Sequence, residues 1–76
     1  MKVYPNPSSN GAMMIETANR IAIQELMVYD ITGRVVVYQH DLGSKTELDV
    51  SAWSSGVYIL KVKTEQGAAV RRITIK

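Results

Sequence analysis

Apolar and polar residues alternate in short runs along almost the whole chain. The clearest run is Val57 to Lys63, where Tyr58, Leu60 and Val62 point one way and Lys61 and Lys63 the other. That period of two is what a strand with one buried face requires. The same reading, reinforced by β-branched and aromatic residues, predicts strands at Val3-Tyr4, Met13 to Thr17, Ile21 to Asp30, Val35 to Gln39, Thr46 to Val50 and Ala68 to Lys76. Isoleucine and alanine at 18–23 could open a helix, but Ile21 and Ile23 alternate and Glu25 has no apolar partners at helical spacing. No stretch has the caps and apolar stripe of an ordinary helix.

Turn chemistry separates these runs. Pro5-Asn6-Pro7 holds the backbone extended or turned, because each proline fixes its own φ and restricts the residue before it. Ser8-Ser9-Asn10-Gly11 is a turn cluster. Asp30-Ile31-Thr32-Gly33-Arg34 reads as a three-residue hairpin loop, with Gly33 at the left-handed position. That placement pairs Asp30 with Arg34 and Val28 with Val36. His40 to Ser44 reads as a loop, and Ser51 to Gly56 as a connector with room for one helical turn. Thr64-Glu65-Gln66-Gly67 is expected to repeat the first hairpin, with Gly67 in the role of Gly33; Lys61 then falls opposite Arg71. Turn signals every ~8–12 residues are the mark of an all-β sandwich or barrel.

With 76 residues the chain makes one domain, 1–76, with Met1 read as an added initiator. A chain this short buries only about 60% of the surface it exposes when unfolded, so the core is thin. There is no Phe, which leaves Val, Ile, Leu, Met, Tyr and Trp53 to build it. The absence of Cys removes disulfides, thiolate metal sites and thiol nucleophiles. No apolar run approaches the ~18 residues of a membrane helix. Met1-Lys2-Val3-Tyr4-Pro5 is not a signal peptide, since no apolar stretch follows it; if the domain is exported, that signal is expected elsewhere on a longer parent chain. The net charge of +2 is a weak pointer to nucleic acid or an anionic membrane.

Candidate chemistry is sparse, and the expectation is a non-enzyme without cofactor, metal or small-molecule substrate. The single histidine, His40, sits beside Asp41, with no serine in a nucleophile-elbow context. The carboxylates lie at turns or alternate with apolar residues, as on solvated strand faces. Oxygen ligands near Asn6, Asn10 and Asp30 could gather calcium, but none has EF-hand spacing. The basic residues at the C-terminal end are more informative. Lys61, Lys63, Arg71, Arg72 and Lys76 make a cationic ribbon on a hairpin. Such residues blunt an edge strand against aggregation, or they form a docking stripe for an anionic partner surface. Nucleic acid is not expected, because no exposed aromatics interleave with them. Trp53 is either a plug at one end of the sandwich or an exposed platform for sugar or peptide.

Four blocks resemble one family. Val3-Tyr4-Pro5-Asn6-Pro7-Ser8 with Asn10-Gly11 looks like the opening motif of the type IX secretion C-terminal sorting domains, the Por secretion sorting domains of Bacteroidota. Val28-Tyr29-Asp30-Ile31-Thr32-Gly33-Arg34-Val35-Val36 is similar to their central hairpin. Ser55-Gly56-Val57-Tyr58-Ile59-Leu60-Lys61-Val62 resembles their third block, and Arg71-Arg72-Ile73-Thr74-Ile75-Lys76 their final strand. The blocks come in order and span essentially the whole chain. The connector around Trp53 fits less closely, where a smaller aliphatic residue is usual.

The resemblance implies an immunoglobulin-like antiparallel β-sandwich of about seven short strands. It implies a non-catalytic sorting signal that directs a larger passenger, brought to the periplasm by a separate N-terminal export signal, across the outer membrane to the cell surface or the medium. The implied partners are the type IX outer-membrane translocon, its shuttle protein and a sortase-type cysteine peptidase that removes the domain. Lys61, Arg71, Arg72 and Lys76 are the expected translocon contacts. Pro5, Asn6, Pro7, Asp30, Gly33, Arg34, Gly56, Tyr58 and Gly67 are the expected structural motif. Separately from the resemblance, open edge strands leave isolated copies free to dimerise, and the sequence does not fix the oligomeric state. The competing readings are a carbohydrate-binding or fibronectin-like accessory module of an extracellular enzyme, and a nucleic-acid-binding β-domain.

Overall fold

The computed structural model describes residues 1–6 and 11–76, so Pro7 and the turn cluster's Ser8, Ser9 and Asn10 lie outside the described residues. Seven strands follow one another: β1 Lys2–Tyr4, β2 Ala12–Glu16, β3 Ile23–Tyr29, β4 Val35–Leu42, β5 Lys45–Asp49, β6 Gly56–Thr64 and β7 Gly67–Ile75. They form two antiparallel sheets. One has the order β1-β2-β5, the other β4-β3-β6-β7.

The inward side chains of both sheets make one core. Met13 and Ile15 of β2 and Leu48 of β5 come from the smaller sheet. Leu26 and Val28 of β3, Tyr58, Leu60 and Val62 of β6, and Ile73 and Ile75 of β7 come from the larger one. The alternation of β6 is as clean in space as in sequence, with Tyr58, Leu60 and Val62 buried and Lys61 and Lys63 exposed.

Three details of β3 and β4 depart from the sequence expectation. First, β4 runs on through His40 and Asp41 to Leu42, which pairs with Ile23. An edge strand keeps polar side chains in water, so its polar end gave no strand signal. Second, β3 begins at Ile23, after a short 3₁₀ turn at Ala18–Arg20. Asn19 and Arg20 both have positive φ there, at 56° and 57°. Third, Val28 pairs with Val37 and not with Val36, because a register shift places both Val35 and Val36 opposite the single residue Tyr29. An extra residue in one strand is a bulge, and it re-aims the side chains beside it. Here it turns Val37 toward the core and leaves Val35 and Val36 exposed.

The two long hairpins also differ from one another. Between β3 and β4 the Gly33 N–H donates to the Asp30 carbonyl at 3.0 Å and the Asp30 N–H to the Arg34 carbonyl at 2.9 Å. That is a three-residue loop, and Gly33 takes φ 87° in it. Between β6 and β7, Thr64 pairs directly with Gly67, so only Glu65 and Gln66 turn. The β6–β7 register is therefore one residue tighter than the sequence suggests.

Candidate recognition surface

The tighter hairpin redistributes the basic ribbon. Lys61 lies opposite Val70, not Arg71, and Ile59 lies opposite Arg72. Directly opposed residues share a sheet face. Lys61, Lys63 and Arg72 therefore stand on the outer face of the larger sheet. Arg71 is opposite the buried Leu60 and leaves from the core side of β7, exposed only because β7 is an edge strand. Its Nη1 donates to the Val70 carbonyl at 3.0 Å. Lys76 is exposed just past the end of β7. Of the four residues expected to contact the translocon, the fold brings Lys61 and Arg72 onto one face and sends Arg71 the other way.

The outer face is more apolar than the alternation of β6 alone suggests. Met27 sits between Tyr38 of β4 and Lys61 of β6, and Glu25 between His40 and Lys63. Val35, Val36, Tyr38 and Val70 are all exposed large apolar side chains. A shallow depression of ≈ 300 Å³ lies between Glu25, Met27, Lys61, Lys63, Gly67 and Ala68. The Tyr38 O–H donates to Glu25 Oε2 at 2.9 Å. This bond to a carboxylate holds the phenol above its ordinary pKa, since losing the proton would break it. Sequence reasoning missed this surface. The available signal was Val35-Val36-Val37, a run that cannot all be buried in a strand.

The opening motif acts at a distance. Asn6 Nδ2 donates to the Arg72 carbonyl at 3.2 Å, and Asn6 Oδ1 accepts the Thr74 N–H at 3.1 Å. One side-chain amide thus occupies two main-chain groups on the outer edge of β7, as a neighbouring strand would. Pro5 precedes it through a cis Tyr4–Pro5 bond and is exposed.

The remaining motif residues are engaged locally. Asp30 Oδ1 accepts from the Thr32 hydroxyl at 2.6 Å, the Thr32 N–H at 2.9 Å and the Arg34 N–H at 3.1 Å. The Thr32 hydroxyl bond first, then the Arg34 and Thr32 amides and the Arg34 charge, hold this carboxyl below its ordinary pKa. Arg34 Nε lies 3.3 Å from Asp30 Oδ2, and because the Arg34 side chain stands largely in water the pair adds little. Gly56 opens β6 opposite Ile75. Tyr58 is buried, and its O–H donates to the Ser54 carbonyl at 2.8 Å. Its ring centroid is 4.9 Å from that of Trp53, which packs half-buried against the core. Trp53 thus plugs one end of the sandwich and does not stand out as a platform.

His40 Nδ1 is 2.8 Å from Asp41 Oδ2, with both side chains exposed on β4. Of the side chains named as oxygen ligands, Asn6 is committed to β7 and Asp30 to its own turn, and Asn10 lies outside the described residues. Among the described residues no group of three His, Cys, Asp or Glu is arranged to hold a metal ion. No helix among the described residues is long and apolar enough to cross a membrane.

The fold is a small antiparallel sandwich in which the Asp30, Asp49 and Asn6 side chains serve turns and edges. Residues 2–76 match the family described as the secretion system C-terminal sorting domain. The chain belongs to this family, the sorting domains of the type IX secretion system of Bacteroidota, and is a signal for that route. Domains of this kind are typically non-catalytic, and the protein that carries one goes to the cell surface or outside. Among solved structures, the chain is similar to PorZ, an essential bacterial surface component of the type IX secretion system of Porphyromonas gingivalis. The TM-score is 0.78 at 19% identity, over 99% of this chain and 11% of that chain. The likeness supports the β-sandwich and extends over about a tenth of the longer protein. The comparison with curated proteins gives no match.

Proposed function

We propose that the folded sandwich is the label by which a larger passenger is handed to the type IX outer-membrane translocon and its shuttle protein after crossing the periplasm. A sortase-type cysteine peptidase then removes the domain. The observation that carries this reading is the family match over residues 2–76. Lys61 and Arg72, with Lys63 beyond Lys61 on the same face, form the main charged contact. Arg71 and Lys76 act from the edge and the end of β7. Catalysis is no part of this role, because the domain has only to be recognised.

The test is an export assay. The domain is fused to the C-terminus of a periplasmic fluorescent reporter, in a bacterium with a working type IX system and in a translocon-deficient strain. Surface or medium fluorescence only in the competent strain is the expected result. Reporter held in the periplasm of both strains, while a known sorting domain is exported in the same host, would overturn it.

A further inference from the structure

Four strands border the two sheets, and three of their edges are blocked. The outer edge of β7 carries Arg71 and Arg72, and its main chain is taken up by Asn6 at Arg72 and Thr74 and by the Arg71 guanidinium at Val70. β5 alternates exposed charges, Lys45, Glu47 and Asp49. β1 is three residues long and bears Lys2. These are the devices by which natural sheets prevent strand pairing at their edges.

β4 has none of them over its central part. Val35-Val36-Val37-Tyr38-Gln39 contains no charge and no proline. Val36 and Tyr38 are 37% and 50% exposed. The bulge lies at the hairpin end, and from Val37 to His40 the strand pairs regularly with β3. Among the described residues, nothing bonds to the main chain on its far edge. A row of free N–H and C=O groups beside β-branched and aromatic side chains recognises one kind of ligand, an extended polypeptide strand that extends the sheet.

We infer that β4, and not the basic final hairpin, is the strand-addition edge of this domain. Its occupant is an extended segment of a protein partner, with apolar residues at alternate positions that rest on Val36 and Tyr38. Main-chain bonds give the attachment. Lys61 and Arg72, farther across the same sheet face, favour an acidic margin on that partner. The inference rests on the reading above in taking the partner to be the type IX outer-membrane machinery.

Amide hydrogen exchange of the intact domain, with and without detergent-purified translocon, tests it. The expected result is slowed exchange at β4 on addition of translocon, with β7 unchanged. A variant carrying Val36→Lys and Tyr38→Lys, with an unchanged melting temperature, should lose this protection and be exported several-fold less than wild type. A charge-reversal control on β5, Glu47→Lys, should behave as wild type. Protection at β7 in place of β4, no protection by translocon that the wild-type domain demonstrably uses, or full export of the folded double variant would overturn the inference. So would β4 protection that follows domain concentration without translocon, which would assign the edge to a second copy. Failure of wild-type export is scored separately in the reporter assay and bears on the sorting reading itself, while the exchange experiment still reports which edge binds.

Discussion

Gly33 sits at φ 87°, and a Cβ built on it would meet nothing within 4 Å. Any cost of a side chain there is therefore conformational and not steric. Gly33→Val should destabilise by ~1–2 kcal/mol, because left-handed backbone is strained for a residue with a Cβ. Gly33→Asn should cost much less, since asparagine tolerates that region. Chemical denaturation of the two variants separates these outcomes, and equal stability of the valine variant would contradict the turn geometry. Asp30 makes the complementary contribution to the same loop. Its carboxyl is held below its ordinary pKa, as is that of Asp49, which accepts from the Ser51 hydroxyl at 2.6 Å and the Ser51 N–H at 3.0 Å. A depressed carboxylate contributes stability that is fully present above its unfolded pKa, ~3.9, and lost as the pH falls through the folded value. Thermal melts should therefore be flat near neutrality and fall below about pH 4. Asp30→Asn with Asp49→Asn should flatten that acid limb and lower stability at neutral pH.

At the scale of elements, the strands were legible because period-two alternation is local and each run carries its own signal. Their pairing was less so. The loop after Asp30 has three residues because one carboxylate gathers three donors from Thr32 and Arg34. Thr64 occupies the corresponding place before Gly67, but its hydroxyl accepts only the Gln66 N–H, at 3.1 Å, and the loop closes one residue sooner. The difference between Asp and Thr at those positions was readable, and the shared glycine obscured it. The bulge at Val35 and Val36 had no local mark beyond the valine run. The role of Asn6 was out of reach, since its partners lie 66 and 68 residues away and the motif says nothing of distance. Asn6→Ala should free the outer edge of β7. The expected cost is about 1 kcal/mol for the lost bonds, with faster exchange of the Thr74 amide. An unchanged Thr74 rate would mean that the amide does not hold this edge in solution.

The whole molecule has little stability to spare. Domains carry roughly 0.05–0.15 kcal/mol per residue, so a single deep truncation uses up much of the total. Leu60 is fully buried where both sheets meet. Leu60→Ala should cost ~2–5 kcal/mol, and the reporter fused to it should stay in the periplasm if the translocon reads a folded object. Export of an unfolded Leu60→Ala fusion would show that a linear motif suffices. On the charged face, Lys61→Glu with Arg72→Glu should reduce export more than Arg71→Glu with Lys76→Glu, because only the first pair shares a surface. Equal effects would point to net charge and not to a face.

The clamp between Asn6 and the last strand has a consequence for the life of the passenger. Translation delivers a chain from its amino end, so β7 emerges after every other strand described here. β7 supplies Ile73 and Ile75 to the interior and receives the amide of Asn6 along its edge. A polypeptide abandoned by the ribosome, or clipped by a protease upstream of Gly67, has no way to finish the sandwich. A gatekeeper that inspected the finished sandwich would thus be inspecting a certificate of completion, and would refuse molecules that lack β7.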